Sequence, residues 1–200
     1  PDDFIGSVLT PGTYPNPLLK PEDNTNIEAG MDFSVLKNRL SYNFTLYQND
    51  TDNQIITIPT LLESGYSSRI INAGKVRNRG VEMSINAIPF KTQNFSWNVS
   101  ANWTLNRNKI LTLPDEFAGQ NSYTISTVAG VLYYNAVVGG SLGDLYGFKL
   151  MRNTNGDVVY DAQTGLPARP DRVEKVGNAF PKWRAGLQND FKIKNWQISF

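Results

Sequence analysis

Asn153, Asn155, Asp157 and Asp161 gather around Gly156, and alternating oxygen ligands about a glycine at a sharp turn are what a calcium loop requires. The spacing is incomplete and no bidentate Glu follows, so an Asn-Gly turn in a loop hairpin explains the segment better. The nearest carboxylate pairs, Asp115 with Glu116 and Glu22 with Asp23, are sequence neighbours, and neighbours on an extended chain point to opposite sides. They make poor acid/base dyads, and a glycosidase would need two carboxyls facing each other across a cleft. Gly139, Gly140, Gly143 and Gly147 form a glycine-rich stretch. No Lys-Ser/Thr follows it and no parallel strand-helix unit surrounds it, so it reads as a backbone turn and not as a phosphate loop.

The chain has neither His nor Cys, which removes the commonest general base, the thiolate nucleophile and most zinc chemistry. Catalysis, a metal and a cofactor are therefore not expected. With 19 Lys+Arg against 18 Asp+Glu and a net charge of +1, no surplus of cations exists to displace phosphate counterions, and nucleic acid is not an expected partner. What remains is aromatic. Tyr66, Tyr123, Tyr133, Tyr134, Tyr146 and Phe148 sit in long connections, where rings can stack on sugars or pack against a partner. Tyr133, Tyr134 and Tyr146 are the candidates for binding substrate or partner.

The elements that must position them follow from alternation. Ile27, Ala29, Met31, Phe33 and Val35 share one phase, and Leu40, Tyr42, Phe44 and Leu46 repeat it after a tight turn at 36–39. Val81, Met83, Ile85 and Ala87 form a third strand, and the odd positions from Phe95 to Leu105 a fourth. In these four strands one phase is apolar throughout, and the other is polar or glycine except at Tyr47. Trp183, Ala185, Leu187, Phe191 and Ile193 continue the pattern with Asn189 as the one polar intruder, and Trp196, Ile198 and Phe200 begin a sixth strand. No apolar stripe recurs at helical spacing, and the chain reads as all-β. Sequons at Asn43, Asn49, Asn94, Asn98 and Asn102 reflect Asn/Thr-rich strand faces in this reading.

Such alternation fits any antiparallel sheet with one wet face, so a secreted β-sandwich binding module is the rival architecture. Two features favour a membrane barrel. Connections alternate short (36–39, 88–94, 194–195) and long (48–80, 106–182), as the inner turns and outer loops of outer-membrane barrels do. Trp97, Trp103, Trp183 and Trp196 fall in the apolar phase near strand ends, as in an aromatic girdle. Strands of about 10 residues, tilted about 40°, cover roughly 25 Å of membrane normal. The uncharged run from Phe117 to Gly143 is broken by polar residues and glycine, and no spanning helix is encoded. The opening PDDFIGSV lacks the basic start and apolar stretch of a secretory peptide, so the chain is expected to be a fragment of a longer protein.

NAGKVRNRGVEMSINAIP (72–89) with WNVSANWTLNRNKILTL (97–113), LKPEDNTNIEAGMDF (19–33), NRLSYNFTLYQNDTDNQI (38–55), GGSLGDLYGFK (139–149) and VGNAFPKWRAGLQNDFKIKNWQIS (176–199) resemble the C-terminal barrel of SusC/RagA-type TonB-dependent transporters. The resemblance implies antiparallel transmembrane β-barrel strands with long extracellular loops in the cell outer membrane. Residues 1–200 would be part of a C-terminal β-barrel domain, a partial barrel without its plug. It further implies uptake of an oligosaccharide or peptide, a SusD-like surface lipoprotein as partner, and TonB engaged through the part of the protein not present here. The connection 106–182 could add a pair of wall strands at 128–138 and 144–151, an even number being required by antiparallel order.

Overall fold

The computed structural model describes residues 12–117, 119–129, 131–170 and 172–200. Its chain divides into two units, one built from Asn24–Asp50, Arg77–Lys109 and Phe180–Phe200, the other from the remaining segments.

The first unit is carried by six strands: β2 (Asp23–Val35), β3 (Leu40–Asp52), β6 (Val76–Lys91), β7 (Phe95–Ile110), β12 (Trp183–Ile193) and β13 (Trp196–Ser199). They form one sheet in the order β13-β12-β7-β6-β3-β2. Three hairpins, 27–47, 81–105 and 183–200, supply it as the alternation predicts. The turn after β2 holds Leu36, Lys37 and Asn38 at positive φ, a tight reversal that brings the two strands into immediate register.

Side-chain bonds report the pairing. Ser34 bonds Ser41 at 2.8 Å, while Asn43 donates to Asp32 and Asn49 to Asn26. One number rises as the other falls by the same step, which is antiparallel pairing. Gln48 with Arg79 and Asp50 with Arg77 set the register of β3 on β6, and Asn86 with Ser100 and Asn78 with Asn108 that of β6 on β7. Trp183↔Leu105 through Ile193↔Phe95 fix β12 on β7 without a shift.

The Gln48–Arg79 and Asp50–Arg77 pairs lie in the apolar phase beyond its apolar stretch; over that stretch, the face opposite Ser34, Asn43 and Ser100 is a continuous apolar surface. Ile27, Leu187, Trp196 and Phe200 are 65%, 66%, 75% and 73% exposed, an apolar display that a water-facing sheet would not sustain. Trp97 stacks on Phe191 at 5.5 Å and on Phe90 at 6.1 Å, and Phe200 stacks on Phe191 at 5.9 Å. The indole N–H of Trp97 donates to Asn189 at 3.1 Å. That bond explains the polar intruder: an N–H facing hydrocarbon needs an acceptor within the wall.

The second unit holds β1 (Thr13–Tyr14), β4 (Ile55–Pro59) and β5 (Ser68–Asn72) in one small sheet, and β8 (Ser122–Val128), β9 (Leu132–Val137), β10 (Asp144–Gly147) and β11 (Glu174–Asn178) in another. Its core is Ile58, Ile71, Val76, Ile110, Tyr123 and Ala136. Phe117 stacks on Tyr123 at 4.5 Å, and burial together with Glu116 pushes the Tyr123 phenol up to about 12. Residues 128–138 and 144–151 therefore supply no wall strands. Their strands are short and pair with each other, β8 and β11, order β11-β10-β9-β8.

Candidate functional site

All three candidate tyrosines lie on this four-stranded loop sheet, Tyr133 and Tyr134 on β9 and Tyr146 on β10. Tyr146 stands opposite Tyr133, and Leu145 opposite Tyr134. Because successive side chains alternate, Tyr133 and Tyr146 share one face while Tyr134 takes the other, with the buried Ala136 two residues on. Thr127 lies opposite Tyr133 on the β8 side and Lys175 opposite Tyr146 on the β11 side. The shared face thus carries a row of hydroxyl, two phenols and an ammonium across four strands. All three rings are half-buried. Burial, helped by Asp144 and opposed by Lys175, raises the Tyr146 phenol above its ordinary value.

Asp144 organises the edge of this face, and sequence reasoning passed over it. Its side chain is 2% exposed. The carboxylate accepts from the Ser141 backbone N–H at 3.1 Å, the Asn178 amide at 2.6 Å and the Lys175 ammonium at 2.6 Å. Burial alone would raise its pKa. The bonds from Lys175, Ser141 and Asn178 outweigh that and hold it below the ordinary carboxylate range. The glycine-rich stretch is what lets the chain wrap it: a Cβ on Gly140 would come within 3.0 Å of its carboxylate oxygen, and Gly139 has φ +84°. The signal available in the sequence was the Asp closing GGSLGD.

Among the other singled-out acids, Asp161, Glu116 and Glu22 are occupied in a turn, an ion pair and a backbone contact. Asn153 accepts the N–H groups of Asn155 and Asp157, both at 2.9 Å, and Arg152 donates to the Gly156 carbonyl at 2.7 Å. Gly156 itself has φ +90°, and the segment is the loop hairpin expected from its Asn-Gly pair. Asp161 takes the Thr164 backbone and hydroxyl and the Gln163 N–H, which hold its carboxyl below the usual range. Glu116 pairs with Arg69 at 2.7 Å and Glu22 accepts from the Ile55 N–H at 2.6 Å; the side chain of Asp115 lies outside the described residues. Among the described residues no group of three His, Cys, Asp or Glu could hold a metal ion.

A cavity of about 520 Å³ opens in the same unit, lined by Tyr14, Lys20, Asn72, Thr112 and the ion pairs Lys75–Asp52 and Arg69–Glu116. Its floor is fixed by Asn72, which bonds the backbone of Lys20 in both directions at 2.8 Å and the Asn53 carbonyl at 2.9 Å. In the cleft Asp52 and Glu116 are already paired with Lys75 and Arg69, and on the loop sheet two phenol rings stand beside an ammonium.

Residues 4–200 match the model of the family described as TonB dependent receptor-like, beta-barrel. TonB-dependent receptor P39 of Formosa agariphila is 34% identical over 181 residues, 89% of this chain and 16% of that protein. TonB-dependent receptor P3 of the same organism is 27% identical over 97% of the chain and 21% of its own length. TonB-dependent receptor SusC of Bacteroides thetaiotaomicron is 34% identical over 112 residues, 56% of this chain and 11% of that one. The chain spans about a fifth or less of the length of these relatives. In fold it is similar to the RagAB peptide transporter, with a TM-score of 0.69 over 89% of this chain and 20% of that one, at 21% identity. The apolar and polar faces of the six-stranded sheet and these matches agree: the chain belongs to the TonB-dependent receptor β-barrel family of outer-membrane proteins.

Proposed function

We propose that the protein to which these residues belong imports an oligosaccharide or peptide across the outer membrane, energised through TonB and working with a SusD-like surface lipoprotein. Residues 1–200 serve it as part of the C-terminal barrel domain. The observation that carries this reading is the six-stranded sheet with one face apolar from edge to edge and the other laced by side-chain hydrogen bonds, which is what a wall between lipid and a wet lumen needs. The likeness to a structure described as a peptide transporter supports a peptide, and SusC/RagA resemblance supports either class.

Recognition belongs to the long connections, since loops on a rigid scaffold carry binding. Within them Tyr133 and Tyr146 act from one face of the loop sheet and Tyr134 from the other, flat rings stacking on a sugar or side chain and hydroxyls bonding its polar edge. The test is the triple variant Tyr133→Ala/Tyr134→Ala/Tyr146→Ala in the full-length transporter. Uptake of the cognate solute or docking of the lipoprotein should fall about tenfold or more, in line with losing stacked aromatic anchors, while barrel assembly stays intact. Unchanged uptake and docking would remove the three residues from the site.

A further inference from the structure

Strand β5 is paired along the whole of one edge and only part of the other. Pairing with β4 runs from Ser68 to Asn72, whereas pairing with β1 stops after Tyr14↔Arg69. The Ala73 N–H donates to the Gln54 carbonyl beside β4, and the Ser68 N–H donates to the Gly12 carbonyl on the opposite side. Backbone groups alternate between the two edges of a strand, so Ile70 and Asn72 turn theirs to the side that β1 leaves. Among the described residues no strand lies there. The chain that leaves β1 comes back to Asn72 through its side chain alone, whose amide accepts from the Lys20 N–H and donates to the Lys20 carbonyl, both at 2.8 Å. The cavity of about 520 Å³ is lined by Tyr14, Leu18 and Lys20 of that departing chain and by every residue of the run 69–75.

An open strand edge beside a cavity offers donors and acceptors at the repeat of an extended chain, and a peptide backbone is what matches that repeat. Charge narrows the occupant further. Asp52 and Glu116 in the cavity wall are neutralised by Lys75 and Arg69, and among the described residues no acid pairs with Lys20, so the wall carries one unbalanced positive charge. We propose that this cleft binds an extended acidic peptide, its backbone adding as a strand against Ile70 and Asn72 and one of its carboxylates resting on Lys20. The site is separate from the tyrosine face, since β5 belongs to a different sheet from β9 and β10. It rests on the import reading only for what the capture serves.

The test is equilibrium binding of fluorescein-labelled Val-Glu-Val-Glu-Val-Glu to the full-length protein in detergent, measured without transport. Three further probes separate the causes. Gln in place of Glu removes the charge, N-methylation of alternate residues removes strand donors at unchanged charge, and trigalacturonate offers carboxylates without a peptide backbone. The acidic peptide should bind saturably, the Gln peptide about threefold or more weakly, as losing an exposed ion pair implies, and the N-methylated peptide about tenfold or more weakly, for lost backbone bonds. Trigalacturonate should not compete. Lys20→Gln should make the acidic and Gln peptides bind alike, and Leu18→Trp, at the cavity wall, should weaken both; the two side chains are exposed, so neither change disturbs the core. Absence of saturable binding by the acidic peptide would overturn the site, as would equal binding of the N-methylated peptide, competition by trigalacturonate, or an undiminished preference for acid in Lys20→Gln. Import is judged apart, by uptake of the same peptide into vesicles. Binding with no uptake would contradict the import of peptide and leave the site standing, whereas uptake unchanged in Leu18→Trp and Lys20→Gln, with no binding at the cleft, would overturn the site alone.

Discussion

At the scale of single residues, the exceptions to the pattern are the most informative. Tyr47 is the one aromatic residue in the polar phase of the first four strands, and the register of β3 on β6 places it opposite Gly80. A Cβ on Gly80 would come within 2.3 Å of the Tyr47 ring, so the ring lies flat on the glycine and covers backbone that would otherwise be bare. The alternation exposed Tyr47 as an anomaly. Its partner was illegible, because the two strands are joined by a long connection and register across such a gap is not written in the sequence. Gly80→Val in the full-length protein should cost about 1 to 3 kcal/mol, as overpacking does. Tyr47→Ala should recover much of that loss in the double variant, read by urea unfolding from lipid vesicles. Strict additivity of the two substitutions would mean that they do not touch. Asn189 is the mirror case: a polar residue in the apolar phase, kept there by the indole N–H of Trp97.

At the scale of elements, all six wall strands and their three hairpins were legible, since burial in two different solvents writes an unbroken period of two. Their outer ends were not. The long connections were expected at 48–80 and 106–182, whereas β3 runs to Asp52, β6 starts at Val76 and β7 runs to Ile110. The ladder continues there while the outward phase turns charged, so apolar alternation stops at the edge of the hydrocarbon and not at the end of the strand. The loop sheet was missed for a related reason: β9, β10 and β11 have 6, 4 and 5 residues, too short to show a phase. The motif NAGKVRNRG reads differently once folded. Gly74 lets the chain pass Thr112 so closely that a Cβ would come within 2.0 Å of its carbonyl oxygen, and Lys75 and Arg77 pair with Asp52 and Asp50. The faces of a strand should differ in what they tolerate. Val99→Arg, which enters hydrocarbon, should cost about 2 to 4 kcal/mol near the midplane, and Ser100→Arg, in the lumen, far less, as measured by folding into bilayers. Similar costs for both would fit a sheet with water on each side.

At the scale of the whole molecule, β2 and β13 are the edges of the six-stranded sheet, and edge strands carry backbone groups that seek a partner. The chain spans about a fifth of the length of the relatives it matches. Substrate class was not readable from residue types because stacking rings serve sugars and peptides alike. What the structure adds for the three candidate tyrosines is their placement on one small sheet, two of them directly opposite each other, beside a carboxylate that was hidden among glycines in the sequence; their role in binding is the proposal made above. All of this depends on one physical claim, that a single face of the sheet meets lipid. Nitroxide labels placed one at a time from Leu40 to Tyr47 in the full-length protein, reconstituted in bilayers, test it most directly. Accessibility to oxygen and to a water-soluble relaxant should alternate with period two, with Phe44 in lipid and Asn43 in water; equal access to both reagents at these two positions would contradict a lipid-facing side.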